Sequence, residues 1–294
     1  MRTMRLLAIL WLVGSWAVGA QAAVSALDDE GRTVTLPAPA RRIVSVAPHA
    51  TELLFAAGAG AQVVATVRYG DYPDAAKRLP VVGDANQLDL ERIAALKPDL
   101  IVVWAHGNSA AQLDRLRALK LPLFHSEPRD LAQIGESLRR LGTLAGTRAA
   151  ADTAADAYAA ELAALRRQYA ARPPLRVFYQ VWHQPLLTIN DRHPIADMIR
   201  GCGGVNVFGA EPLLVPTVSP EAVLAARPQV LASSSVETRD DETLSPWRGL
   251  ARFEPVARQA VVMVPADLIS RASPRALQAM RLLCEGFEQV RARR

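Results

Sequence analysis

The sequence predicts an α/β protein of two lobes, each built on a parallel sheet, joined by one long rigid α-helix. Three observations lead there. Short apolar runs alternate with amphipathic stretches in both halves of the chain, the pattern of strands fed by helical crossovers. Between the halves, Ala151, Ala154, Ala155, Tyr158, Leu162, Leu165 and Tyr169 recur at steps of three and four, which is one face of a helix. Residues 90–101 and 220–231 also repeat one plan at an offset of 130 residues: a glutamate opens a short helix, a basic residue and a proline end it, and an apolar strand follows.

The first 22 residues read as an export leader. Arg2 and Arg5 precede an apolar run over 6–18, and Ala20 and Ala22 offer small residues to a signal peptidase, placing cleavage near Ala22. The run is shorter than the roughly 20 apolar residues that span a bilayer, and no cysteine follows it to accept a lipid. A periplasmic location is expected. The remaining chain, from 294 residues that are 50% hydrophobic, is long enough for two domains. Losing two arginines with the leader lowers the formal charge from +5 to +3, which implies no nucleic-acid partner.

The N-terminal lobe is expected over 23–146. Strands over 24–27 and 33–36 flank the polar turn Asp28-Asp29-Glu30-Gly31 as a hairpin. A buried strand over 42–46 turns at 47–51 into a helix over 52–57, which Gly58 and Gly60 end. A strand over 63–67 leads to the polar-aromatic loop 68–73. Helix 90–96, strand 100–104, helix 109–119, strand 121–124 and helix 131–145 complete the lobe.

The connecting helix is expected over 147–172. Thr147 can cap its start, Asp152 and Asp156 lie near the positive end of its dipole, and Arg166, Arg167 and Arg172 lie near the negative end. Pro173 and Pro174 stop it. At about 24 residues it would be about 36 Å long. The second lobe, 173–294, restarts the plan with strand 175–181, helices 195–200 and 220–226, strands 230–233 and 260–264, and helix 274–290. The two lobes are thus Rossmann-like.

Catalytic signatures are missing from the sequence. It has no glycine-rich phosphate loop, no Gly-x-Ser-x-Gly elbow and no His-Glu-x-x-His pair. His49, His106, His125, His183 and His193 are scattered one per segment and read as loop or surface residues rather than ligands, so no metal site is expected. Cys202 and Cys284 are the only cysteines; in an oxidising compartment they read as a disulfide or as two buried thiols, and they cannot make a Cys-only metal site. Tyr69, Tyr72, Trp104 and Trp182 stand just after predicted strands, where they either offer apolar faces to a large flat ligand or plug the tops of the lobes.

Five motifs then carry a resemblance. Pro48-x-x-Thr51-Glu52-Leu53, Tyr69-x-Asp71-Tyr72-Pro73, the run from Leu90 through Lys97-Pro98-Asp99-Leu100, Cys202-Gly203-Gly204-x-Asn206-x-Phe208 and Arg271-Ala272-Ser273-Pro274-Arg275 run in order through nearly the whole exported chain. Together they resemble the periplasmic cobalamin-binding proteins of ABC importers, in the class whose lobes share one helical backbone. The resemblance implies two α/β lobes, a ligand held in the cleft between them, and no catalysis or cofactor. It implies that Tyr69 and the loop Asp267, Leu268, Ile269, Ser270 and Arg271 touch cobalamin or a related corrinoid and that Trp104 stands near the cleft; Trp182, with no aromatic counterpart at its own position, is expected to add to the same ligand site. It further implies that Glu91 and Glu221 meet arginines on a permease dimer, that Cys202 pairs with Cys284, and that the protein works as a monomer.

The sequence departs from that family in places. Ala85 and Val215 stand where a cleft tryptophan is found, Leu268 and Ile269 replace an aromatic pair, and Trp182 lies one residue from an aromatic counterpart. These departures bear on which ligand is bound. The nearest alternative is the same machine for haem, with an axial tyrosine or histidine, or for a ferric siderophore, with several cleft arginines. A secreted hydrolase is the remote alternative. The uninterrupted connecting helix implies small rocking of the lobes rather than wide closure.

Overall fold

The alternation of strands and helices becomes two four-stranded parallel sheets of the same strand order. The structure, a computed structural model, describes residues 22–84, 86–236, 240–248, 250 and 253–293. The expected leader, apart from Ala22, and Ala85 lie outside them. A hairpin of β1 (Val24–Leu27) and β2 (Thr33–Leu36) comes first and lies against the N-terminal lobe. That lobe is formed by β3 (Ile43–Ser45), α1 (Pro48–Ala56), β4 (Val63–Ala65), α2 (Leu90–Ala95), β5 (Leu100–Trp104), α3 (Ala110–Ala118), β6 (Leu123–Ser126) and α4 (Leu131–Ala145). Its sheet runs β4-β3-β5-β6.

After α5 (Arg148–Tyr169) come β7 (Leu175–Gln180), the two-residue hairpin strands β8 (Trp182–His183) and β9 (Leu186–Leu187), α6 (Pro194–Gly201) and β10 (Gly204–Asn206). The chain continues through α7 (Pro220–Ala225), β11 (Val230–Ser235), α8 (Asp240–Arg248), α9 (Glu254–Ala257), β12 (Val261–Pro265), α10 (Ala266–Ile269) and α11 (Ala276–Ala292). The second sheet runs β10-β7-β11-β12. With only its own four strands counted in chain order, each sheet reads second, first, third, fourth.

The repeated segment is repeated in atomic detail. Asp89 caps α2 by accepting from Arg92 N–H, and Ser219 caps α7 by accepting from Ala222 N–H. Lys97 and Arg227, which follow these helices, both take positive φ, 45° and 43°. Asp99 N–H then donates to Arg42 C=O at 2.8 Å, and Gln229 N–H to Arg176 C=O at 2.7 Å. The arginines correspond in their target: Arg42 Nε donates to Leu96 C=O, and Arg176 Nη2 donates to the matching Ala226 C=O while its Nε donates to Arg227 C=O. Two lobes built alike place Glu91 and Glu221 in the same local setting, exposed in the first turn of α2 and of α7.

One core passes through both lobes. Alternate strand residues such as Ile43, Leu100 and Val102 join a cluster that continues through Ala151, Ala155, Tyr158, Leu162 and Leu165 of α5 to Val177, Met280 and Phe287 of the second lobe. The other sheet faces bury separate clusters, with Val44, Ile101 and Val103 in the first lobe and Phe178, Leu231 and Trp247 in the second. The disulfide Cys202–Cys284 ties the end of α6 to α11. Among the described residues no helix is long and apolar enough to cross a membrane.

Several boundaries differ from expectation for local reasons. Residues read as a turn, 48–51, are already the first turn of α1, because Pro48 occupies its first position, where no N–H is needed. Thr147 does not cap α5; its hydroxyl donates to Ala57 C=O at 2.7 Å and pins the helix start to the end of α1. The helix ends at Tyr169, before the expected 172, and α11 begins at Ala276 rather than 274. The hairpin β8–β9, strand β10 and helices α8, α9 and α10 have no counterpart in the sequence reading.

Candidate functional site

In both sheets the C-terminal strand ends point to the space between the lobes, where open α/β sheets hold ligands. A cavity of about 60 Å³ lies there. The first lobe lines it with His49 of α1, Trp104 at the end of β5 and residues 127–129 after β6. The second lobe supplies residues 192–194 at the start of α6, Leu214, and residues 269–272 after β12.

Each wall residue is held by its neighbours. The Trp104 ring meets the edge of His49 with centroids 5.3 Å apart. A Cβ on Gly107 would sit 1.9 Å from the Trp104 ring, so only glycine lets the loop fold over it. The buried His49 brings Nε2 to 3.2 Å from Ser126 Oγ, and burial lowers its pKa to about 4. His193 caps α6 by accepting Ile195 N–H on Nδ1 at 3.2 Å, and burial lowers its pKa likewise to about 4. Both imidazoles are therefore neutral near pH 7. The reading of all five histidines as loop or surface residues is corrected here: His49 and His125 are buried, because each is packed against polar partners that satisfy its ring.

Among the eight residues expected to touch ligand, Trp104, Ile269, Ser270 and Arg271 share the cavity wall. The other four lie outside it. Tyr69 is 65% exposed in the turn after β4, with φ 66°. Trp182 is 42% exposed on β8, its Nε1 donating to Gln184 C=O. Asp267 pairs with Arg275 at 2.9 Å, and Leu268 packs against the core. The side chain of Arg271 does not reach freely into the cleft either: it donates to Glu52 at 2.8 Å and to Asp71 at 3.1 Å on the other lobe.

Exposed apolar side chains stand outside this small cavity. Tyr69 and Tyr72 stand on the loop after β4, Leu213 and Val215 on the loop after β10, and Trp182 on β8. So small a cavity holds only part of a larger ligand, whose flat faces would need apolar surface beyond it. The sequence reading missed His49, Arg129, Arg192, His193 and Leu214 in the wall. His49 lies inside the Pro48-x-x-Thr51 motif, directly after a predicted strand, and that position was its one available signal.

Away from the cleft, Asp28, Glu30 and His125 bring ligand atoms within 4.8 Å of one another. Arg32 fills that cluster, paired to Glu30 and 3.3 Å from His125 Nε2, so Glu30 already holds a cation, while Asp28 meets His125 Nδ1 at 2.8 Å.

Comparison with known proteins follows the same lines. The periplasmic binding protein family matches residues 43–268. A vitamin B12-binding protein of Vibrio cholerae serotype O1 is 36% identical over 248 residues, 84% of this chain and 89% of that one. Its counterpart in Yersinia pestis is 37% identical over 258 residues, 87% of this chain and 90% of that one. The crystal structure of the periplasmic vitamin B12 binding protein BtuF of Vibrio cholerae matches with a TM-score of 0.78 at 34% identity, covering 86% and 98% of the two chains. The periplasmic haem-binding protein RhuT of Roseiflexus matches with a TM-score of 0.75 at 26% identity, covering 85% and 98%.

Proposed function

The chain belongs to the periplasmic binding protein family, and from that premise we propose that it captures cobalamin or a related corrinoid between its lobes and delivers it to an ABC importer. The observation that carries this reading is the inter-lobe cavity walled by Trp104, Leu214 and Ile269, with Tyr69, Trp182, Leu213 and Val215 exposed outside it. A corrin is broad and flat, and aromatic and aliphatic side chains of this kind bury its faces at little cost in side-chain entropy. The likeness to vitamin B12-binding proteins over most of the chain supports the same ligand. No catalysis is involved; burial and release are the whole of the chemistry.

A second reading is haem. Arg129 and Arg192 stand in the cavity wall, where they could meet carboxylates, and the fold resembles that of a haem-binding protein. Fluorescence of the exported chain, whose tryptophans are Trp104, Trp182 and Trp247, separates the two. Titration with cyanocobalamin, haemin and a ferric siderophore is expected to give saturable quenching at the lowest concentration with cyanocobalamin. Saturation by haemin alone would replace the reading.

Delivery assigns a role to the paired helices. Glu91 and Glu221 dock the monomer on a permease dimer, one glutamate to each subunit, which fixes register more than affinity. The hydrogen bonds of Glu221 to its own backbone and to Ser219 hold its carboxyl below the usual range, so it is charged in use. Replacing both by alanine is expected to reduce cobalamin uptake by cells at least tenfold with ligand affinity unchanged; weaker ligand binding would remove the docking role. Cleavage of the leader near Ala22 completes the reading, and the mass of the secreted protein checks it.

A further inference from the structure

Two buried carboxylates cross between the lobes in a reciprocal arrangement. Glu52 of α1 has a side chain only 1% exposed, and all its partners belong to the other lobe. Oε1 accepts from Arg271 at 2.8 Å and from Arg275 Nη2 at 2.6 Å, while Oε2 accepts from Ser273 Oγ at 2.6 Å and Arg275 Nε at 3.0 Å. Asp71 and Asp267 hold the outer sides of the two arginines, and the Arg275 guanidinium lies 4.1 Å from the centre of the Tyr72 ring. In the opposite direction, Asp197 of α6 accepts Leu131 N–H, at the start of α4, at 3.0 Å and Arg166 of α5 at 2.7 Å.

These two contacts are one motif used twice. α1 is the first helix of its lobe and α6 the first of the other; α4 and α11 are the last helix of each. Each first helix lends a carboxylate to the segment that opens the last helix of the opposite lobe. The residues 127–129 and 269–272, at or just before those segments, are two of the segments that line the cavity. A carboxylate bound by guanidinium forks and hydroxyls has few alternative geometries, so it fixes a loop where an apolar contact would let it slide.

We propose that Glu52 and Asp197 are reciprocal positioning residues that lock each lobe to the loop facing it, so that the cleft is preformed and loosens only when a clasp breaks. The effect on binding rests on the cleft being the ligand site; the effect on lobe geometry does not. Removing one carboxylate frees one loop, and removing both frees the lobes to rock about α5.

The test uses the exported chain with its disulfide intact, carrying nitroxide labels at Ala94→Cys and Ala222→Cys on exposed positions of α2 and α7. Pulsed electron paramagnetic resonance is expected to show one narrow inter-label distance with or without cyanocobalamin. Glu52→Gln and Asp197→Asn should each broaden it, and the double variant most. Titration of the same proteins, well below their melting temperatures, should show at least a tenfold loss of cyanocobalamin affinity in each single variant. A narrow distance in the double variant, or broadening with unchanged affinity, overturns the proposal. Should the double variant not fold, Ser273→Ala, which deletes one bond to Glu52, is expected to broaden the distance less and weaken binding at least twofold; no change in either overturns it. If the parent protein binds no cyanocobalamin, the functional reading fails, and the distances alone decide the clasps.

Discussion

At the scale of single residues, Trp104 and His49 show how packing sets chemistry in the cleft. Trp104 is held between the bare backbone of Gly107 and the edge of His49, so its free face is presented to the cavity without loss of rotamer freedom on binding. Trp104→Ala is expected to weaken cyanocobalamin binding roughly 10- to 100-fold by isothermal titration, the range of a central aromatic anchor. His49 makes a prediction about pH. Its folded pKa of about 4 lies below the usual 6.5 of a free imidazole, so between those values the unfolded chain binds a proton that the folded one does not. The stabilising effect of its neutral form is therefore complete above about pH 6.5 and is lost as pH falls toward 4, on the order of 3 kcal/mol in all. Urea denaturation at pH 7 and pH 4.5 should show that loss shrinking in His49→Gln; an equal loss in both proteins would remove His49 as the cause. Residue type alone made the cysteine pair legible in the sequence. The burial of His49 was not legible, since a lone histidine has no periodicity, and the role of Glu52 was hidden because Arg271 lies 219 residues away.

At the scale of elements, the long periodic helices were read within a few residues, since a stripe at steps of three and four has no competing explanation in 131–145 or 148–169. Short elements were not. Two residues of β8 against two of β9 are too few to show alternation, β10 sits in a glycine-rich motif that reads as a turn, and the proline that opens α1 was read as a turn signal. The contact of α4 with α5 was equally invisible, and it depends on one missing side chain. A Cβ on Gly142 would lie 2.2 Å from the Cβ of Ala151. Gly142→Ala gains about 1 kcal/mol of helix propensity but forces apart two packed helices, which costs about 1–3 kcal/mol. The clash is with a rigid methyl group, so the variant is expected to be less stable, by up to about 2 kcal/mol, in thermal or urea unfolding. A more stable variant would show that the helices separate freely.

At the scale of the whole molecule, the sequence repeat foretold two similar lobes, and the matching strand orders and the paired turns at Lys97 and Arg227 carry that likeness into the backbone. What no local pattern contained is the way the lobes are joined. One core runs from sheet to sheet through α5, and two carboxylates cross it in opposite directions. Such a frame fits a protein that offers a preformed cleft and changes shape little, as the uninterrupted helix implies. The ligand is the central claim, and the exported protein incubated with excess cyanocobalamin and passed through gel filtration tests it most directly. The account predicts corrin absorbance co-eluting with the protein at one ligand per chain, undiminished when haemin is present at equal concentration. Cyanocobalamin eluting wholly with the small molecules, while haemin stays with the protein, would contradict it.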